Sequence, residues 1–160
     1  MSGLYFRGKL LYAEAFAAPP HGWPRALVIA PGRGLVPAEI LIRMPDLQAM
    51  GRVPVDHENP DFREPLMRDA RRLNRALGVD GRAVLLGSIA TDKYVAPLIQ
   101  VLGDRLYFPA EFVGRGDMSR GGLLLRCAQA GTPLECVPVR GARRHGPKPP
   151  RLRRRDVRAR

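Results

Sequence analysis

The glycine- and arginine-rich segment at residues 109–122 has the residue types of an anion-binding loop. It reads PAEFVGRGDMSRGG and leads directly into a predicted helix. Glycines allow backbone amides to turn toward a ligand, and the first turn of a helix carries partial positive charge. Two arginines add full positive charges. A phosphate or carboxylate fits this combination, and the candidate contacts are Gly114, Arg115, Gly116, Ser119 and Arg120.

A purely structural explanation of the same loop stays open. Asp117 or Ser119 can cap the helix, and the glycines can serve a tight turn and close helix packing. The phosphate-binding pattern GxxxxGK[ST] is absent, and the dinucleotide pattern GxGxxG lacks its third glycine, since Ser119 stands at that position. The sequence therefore leaves an anion site and a helix cap as alternatives.

Two further loops follow predicted strands and carry polar side chains. The loop GSIATDKY at residues 87–94 offers Ser88 and Lys93 as anion contacts, although its Ser, Thr and Asp residues are also suitable helix N-caps. The loop PGRGLVP at residues 31–37 offers Arg33. Ligands of open α/β sheets commonly bind outside the carboxyl ends of the strands, so we expect the three loops to share one rim.

Three carboxylates on these loops are the candidate catalytic groups. If the protein is an enzyme, Asp92, Glu111 or Asp117 acts as a base or nucleophile beside the arginines that hold a phosphate. Such an arrangement suits nucleosides, nucleotides or nucleic acids. The chain has no GxSxG or HExxH pattern, and its two cysteines are not at metal-ligand spacing. The sequence thus identifies neither a cofactor nor a metal site.

The positive charge of the chain is concentrated at its C-terminal end. The sequence has 27 Lys and Arg against 15 Asp and Glu, a net charge of +12, and residues 140–160 contribute +9 of it. Residues 143–160 are proline-containing and almost free of apolar side chains, which predicts a disordered basic tail. Such a tail attracts polyanions, so a non-catalytic accessory protein that binds DNA or RNA is the alternative function. The predicted nucleic-acid contacts are Arg143, Arg144, Lys148, Arg151, Arg153, Arg154, Arg155, Arg158 and Arg160.

Short apolar runs alternate with longer amphipathic segments along the rest of the chain. The pattern predicts strands at 26–30, 83–87, 105–108 and 134–139, and helices at 61–77, 91–102 and 118–130. The runs 26–30 and 83–87 show no polar alternation, which favours central strands covered on both faces. Near the N-terminus, residues 4–6 fit an edge strand, while residues 9–18 have a helix-forming composition.

Strands separated by helices of this length are typical of crossover units around a parallel sheet. We therefore predict an α/β fold, with a single three-layer domain at residues 1–142 around a mainly parallel central sheet and the basic tail at 143–160. No segment has the roughly 20 apolar residues of a membrane span. Charges near the N-terminus interrupt any secretion signal, so we expect a cytoplasmic protein with no membrane partner.

Three segments of the chain resemble small bacterial α/β proteins of uncharacterised function. They are PGRGLVP at 31–37, LLGSIATDKYV at 85–95 and FPAEFVGRGDMSRGGLLLR at 108–126. The resemblance extends over about residues 4–150 and excludes the arginine-rich end. The order of strands, loops and helices is more distantly similar to α/β domains grouped with nucleobase-handling and DNA-glycosylase-like folds. That likeness implies a nucleotide or nucleic-acid ligand, but the water-activating and base-flipping motifs are missing, so it assigns no catalytic residue.

Overall fold

The computed structural model describes residues 3–150 as five α-helices and five short strands. In chain order these are α1 (Gly3–Phe16), β1 (Leu27–Ala30), β2 (Gly34–Pro37), α2 (Met44–Gly51), α3 (Pro60–Ala76), β3 (Ala83–Val84), α4 (Asp92–Leu102), β4 (Leu106–Pro109), α5 (Asp117–Ala130) and β5 (Cys136–Pro138). Single turns of 3-10 helix flank β4 at Gly103–Arg105 and Ala110–Phe112. Helices combined with small sheets agree with the predicted α/β class.

The strands form two small sheets, and the mainly parallel central sheet that the sequence predicts is not observed. β1 and β2 pair antiparallel as a hairpin, because Arg33 N donates to Ala30 O (3.0 Å) and closes a tight turn. The second sheet has the order β3-β4-β5, with β3 parallel and β5 antiparallel to β4. Within residues 3–150, only the unit β3-α4-β4 is a parallel crossover connection.

The prediction that the two apolar runs are central strands is wrong. β1 is half-buried along most of its length, and β3 is a two-residue edge strand in which Val84 is 45% exposed. The central strand is β4, where Leu106 and Phe108 are 2% and 1% exposed. Residues of both runs, such as Ile29 and Leu85, are partly buried against the apolar core. A continuous apolar run thus indicates burial, and strand order decides which run becomes fully covered.

Helix α1 resolves the ambiguity of the N-terminal segment, since residues 4–6 are helical. It crosses α5 at two glycines. A Cβ at Gly8 would lie 2.8 Å from Gly121 O, and a Cβ at Gly121 would lie 2.9 Å from Tyr5 Cα. The two helix backbones are therefore in direct contact, which requires glycine at both positions.

Helices α3, α4 and α5 lie within one or two residues of their predicted bounds, whereas α2 was not predicted. Asn59 caps α3 by accepting a hydrogen bond from Asp61 N (3.1 Å), and Pro60 occupies the first helical position. α2 has no buried residue, so its short sequence carries little amphipathic signal.

One carboxylate connects the hairpin to α3. Asp69 is 6% exposed and accepts hydrogen bonds from Leu35 N (3.0 Å) and from two nitrogens of Arg68 (both 2.9 Å). Burial alone raises the pKa of Asp69, but the hydrogen bonds from Arg68 and Leu35 and the charges of Arg68 and Arg72 outweigh it and lower that pKa. The ionised carboxylate is therefore the form that holds the hairpin in place.

Buried side chains from α1, α3, α4, α5 and the second sheet form one apolar cluster. Its most completely buried large side chains are Phe62, Leu66, Val95, Phe108, Phe112 and Leu124. Among residues 3–150, no helix combines the length and apolar character that crossing a membrane requires.

Candidate anion-binding site

The parallel strands β3 and β4 lie side by side, and each is followed by a loop that leads into a helix. The hydrogen bond from Leu85 N to Tyr107 O (2.8 Å) extends their pairing past β3. Loop 85–91 then enters α4, and loop 110–116 enters α5. We call these two loops, with the first turns of α4 and α5, the β3–β4 rim. It corresponds to two of the three loops that the sequence predicts to meet.

Neither helix at the rim is capped by the side chain of its N-cap residue. Thr91 precedes α4 and makes no such hydrogen bond within the described chain, and Gly116 precedes α5 and has no side chain. First-turn amides that lack an internal acceptor give a helix N-terminus its affinity for anions. This arrangement differs from the predicted alternative in which Asp117 or Ser119 caps α5, since both lie inside the helix.

Arg115 is directed into its own loop. Its side chain is 9% exposed, and it donates to Glu111 O (2.9 Å) and Ser119 Oγ (3.2 Å) and pairs with Glu111 Oε2 (3.4 Å). These contacts fasten loop 110–116 to the first turn of α5. Arg115, Glu111 and Ser119 therefore position the loop, and their polar groups are already engaged with one another.

Arg120 of α5 also binds loop 110–116. Its Nε and one terminal nitrogen donate to Phe112 O (3.3 and 3.1 Å), and its guanidinium lies 5.6 Å from the Phe112 ring centroid. It also pairs with Asp117 at 3.7 Å. The side chain is 11% exposed, so its positive charge is held close to the start of α5.

Two tyrosines and a lysine that sequence reasoning missed complete this cluster. Tyr5 donates to Leu86 O (3.1 Å), Tyr94 donates to Ser88 O (2.8 Å), and Lys9 Nζ lies 4.1 Å from the Tyr5 ring centroid. The Tyr5–Lys9 spacing of four residues would have placed both on one helix face, had residues 3–16 been recognised as a helix.

Electrostatics link this cluster to the first turn of α5. Burial raises the pKa of Tyr5 to about 12, with Arg120 lowering it in part and Asp117 raising it. Burial also lowers the pKa of Lys9, and there Asp117 opposes the effect while Arg120 adds to it. Burial likewise raises the pKa of Tyr94. Both hydroxyl groups therefore stay protonated near neutral pH and serve as hydrogen-bond donors.

The loop before α4 brings a different set of groups to the rim. Ser88 Oγ accepts a hydrogen bond from Ala90 N (3.3 Å), so this hydroxyl shapes the turn. Asp92 forms an ion pair with Arg144. Lys93, in the first turn of α4, is exposed. Of the predicted contacts in this loop, Lys93 is the one that presents a charge to solvent.

Residues 143–150 lie across the rim. The segment has neither helix nor strand, and Arg144 binds Asp92 while the backbone around Pro147 lies against Gly114. Gly114 has φ +74 and no room for a Cβ beneath that backbone. Glycine at position 114 thus allows the backbone of residues 146–147 to lie close to the loop.

Arg143 and Lys148 are exposed on this segment. The other predicted tail contacts, Arg151, Arg153, Arg154, Arg155, Arg158 and Arg160, lie outside the described residues.

Arg33 belongs to a different surface. It pairs with Asp46 of α2 at 2.9 Å, and its main-chain oxygen accepts a hydrogen bond from Arg68 of α3 (3.3 Å). These contacts hold the hairpin turn against α2 and α3. The structure therefore brings Lys93, Arg115 and Arg120 to one rim and places Arg33 with the other sheet.

The three candidate catalytic carboxylates are each paired with an arginine. Asp92 pairs with Arg144, Glu111 with Arg115 and Asp117 with Arg120, and their side chains are 49%, 52% and 47% exposed. Within residues 3–150, no group of three His, Cys, Asp or Glu side chains is arranged to hold a metal ion.

Comparisons with protein-family models, with curated proteins and with solved structures found no match.

Proposed function

We propose that the β3–β4 rim binds the phosphate of a nucleotide or nucleic acid. The observation that carries the proposal is that two parallel strands are each followed by a helix whose N-cap residue makes no side-chain cap, and that Tyr94 of α4 interacts electrostatically with Asp117 and Arg120 of α5. The first-turn amides of a helix favour an anion, and two helix starts close together favour it more strongly than one. Ligand binding at the carboxyl ends of parallel strands is also the general rule for open α/β sheets.

The cations around these first turns support the same ligand class. Arg120 lies in the first turns of α5, and Lys9 of α1 interacts electrostatically with Asp117 of the same segment. Lys93 lies in the first turn of α4, and Arg144 pairs with Asp92 there. Two of them are engaged with carboxylates, which leaves exposed Lys93 as the cation most accessible to an incoming phosphate. Arg115, which the sequence favoured, acts in this proposal by positioning the loop.

Two cavities of the protein lie away from the β3–β4 rim. They measure about 550 and 390 Å³, lie beside α3 and beside the β1–β2 hairpin, and are not lined by rim residues. In this proposal the rim binds one charged group, which suits the phosphate of a nucleotide or of a strand of nucleic acid.

A thermal-shift series on the full chain tests this function. Adenosine monophosphate and ribose 5-phosphate should raise the melting temperature, whereas adenosine should not, because only a ligand that binds the native state stabilises it. The replacement Lys93→Gln should reduce the shift, and Arg7→Gln, an equal charge change on an exposed part of α1, should leave it unchanged. Equal shifts with adenosine and its monophosphate would contradict phosphate recognition.

Binding of DNA or RNA through the basic tail is the second candidate function. The +9 charge of residues 140–160 favours it, since the remaining 139 residues carry only +3. Phosphate contacts from a basic segment position a protein without reading sequence. In this alternative the protein is a non-catalytic accessory factor, and loop 110–116 has only the structural contacts described above.

A further inference from the structure

The outward face of α3 carries a row of four arginines. Arg68 lies three and four residues before Arg71 and Arg72, and Arg75 lies four and three residues after them, which places all four on one side of the helix along about 10 Å of its axis. All four residues are exposed. We call this set the α3 arginine row. None of these residues contributes to the β3–β4 rim.

The four positive charges of the α3 arginine row reduce the stability of the helix. Like charges three and four residues apart repel each other on a helix surface. Asp69 lies between them and binds Arg68 and Arg72, but it is buried against the hairpin. Within residues 3–150, Arg71 and Arg75 have neither an ion pair nor a hydrogen bond. No carboxylate within residues 3–150 therefore pairs with either of these two side chains.

The helix below the row is firmly held. Phe62, Leu66 and Ala70 on its opposite face are at most 1% exposed. Near its C-terminal end, Asn74 Nδ2 donates to Val101 O (3.2 Å) and Asn74 Oδ1 accepts from Arg105 (2.9 Å). The arginines therefore project from a rigid support, which reduces the entropy lost when a partner binds.

We propose that the α3 arginine row binds the phosphodiester backbone of a nucleic acid, independently of the rim and of the C-terminal tail. Guanidinium groups match phosphate oxygens in geometry, and a polyanion removes the repulsion along the row. An anionic membrane is a poorer partner, because the apolar side chains of α3 face the core and cannot insert into lipid. Backbone contacts of this kind carry no sequence preference.

The test uses the full chain with Arg71→Gln and Arg75→Gln combined. This pair leaves Arg68, Arg72 and Asp69, and thus the hairpin anchor, unchanged. Fluorescence anisotropy with labelled duplex DNA and duplex RNA, across a salt series, gives affinity and salt slope. If both arginines contact phosphates, affinity at about 0.1 M salt should fall by roughly 10- to 100-fold, and the slope of log affinity against log salt should become smaller by about 2.

The matched control is Arg7→Gln combined with Arg52→Gln, which removes the same charge from exposed positions on α1 and after α2. An equal loss of affinity in both double variants would overturn the proposal, because the effect would then come from net charge alone. A loss of affinity for both duplex DNA and duplex RNA supports recognition of the phosphodiester backbone. A loss of affinity for only one of them also supports the proposal and shows which duplex the row binds. Arg71→Lys with Arg75→Lys keeps the charges and should restore most of the salt slope, and failure to restore it would count against phosphate contacts.

Discussion

Arg120 joins loop 110–116 to α5 through the main-chain oxygen of Phe112, a residue that is 1% exposed. An arginine with this contact has a structural role as well as a charge. From the sequence alone, Arg115 and Arg120 both fit ligand contacts that can be removed without loss of stability. The structure favours the opposite expectation, because each is almost buried and donates to main-chain oxygen.

Replacing Arg120 with Ala should therefore destabilise the free protein. The change removes the two hydrogen bonds from the charged guanidinium to Phe112 O and leaves only the one from Arg115 N (3.2 Å), which costs about 1.5–3 kcal/mol of unfolding free energy. Arg7→Ala, at an exposed position of α1, should change stability by less than about 0.5 kcal/mol. Urea denaturation of both variants measures the difference. An Arg120→Ala protein as stable as the wild type would show that the loop does not depend on this side chain.

Asp69 makes the stability of the hairpin dependent on pH. Because the pKa of Asp69 is lowered in the folded protein, its contribution is complete above the unfolded value of about 4 and is lost as pH falls through the folded value. Asp69→Asn should lower the unfolding free energy at pH 7 by about 1–3 kcal/mol, since hydrogen bonds to a charged acceptor are removed.

Urea denaturation at several pH values checks the sign of this effect. The difference in unfolding free energy between wild type and Asp69→Asn should be largest near neutrality and should shrink in acid, where Asp69 of the wild type is itself protonated. A difference that stays constant from pH 7 to pH 2 would show that the ionised carboxylate is not the stabilising form.

At the scale of elements, three of the five helices were predictable and the strand pairing was not. Apolar spacing located α3, α4 and α5, because a helix records its buried face in its own sequence. β1 and β3 have the same apolar composition as a central strand, but hairpin formation and strand order depend on distant segments. The same difference applies to the candidate site. The positions of Lys93 and Arg120 near the starts of α4 and α5 could be predicted from the sequence. The position of Arg33 could not, because β1 pairs with β2 in a separate sheet and Arg33 contacts α2 there.

The α1–α5 crossing carries the clearest prediction at this scale. Gly121→Ala would place a methyl group 2.9 Å from Tyr5 Cα, so the helices must separate. Overpacking of this kind costs about 1–3 kcal/mol. It should also disturb Tyr5 and Lys9, which lie on α1 near the rim. Thermal or chemical denaturation gives the change in stability.

Gly51→Ala is the matched control for this substitution. Gly51 ends α2, and a Cβ there would have no neighbour within 4 Å. The replacement should be neutral or stabilising, since Ala is favoured over Gly in a helix by up to about 1 kcal/mol. Equal changes in stability for Gly121→Ala and Gly51→Ala would show that α1 and α5 can move apart at little cost, which would contradict the prediction.

At the scale of the whole molecule, residues 140–160 carry +9 of the net charge of +12. If the tail binds nucleic acid, replacing Arg153, Arg154, Arg155 and Arg158 with Gln should reduce the magnitude of the salt slope by up to about 4, since each phosphate contact contributes about 0.9. Anisotropy titrations of the full-length variant across a salt series measure this change. A salt slope equal to that of the wild type would show that these tail arginines do not contact the nucleic acid.

The central claim is that the β3–β4 rim recognises a phosphate. Its most direct test is calorimetric titration of the full-length wild type, Lys93→Gln and Arg7→Gln with adenosine monophosphate. Loss of a charge-assisted contact should raise Kd about tenfold or more in Lys93→Gln, while Arg7→Gln should stay within about twofold of the wild type. A wild-type protein that binds no adenosine monophosphate, or a Kd that Lys93→Gln leaves unchanged, would contradict the assignment of the rim as the phosphate site.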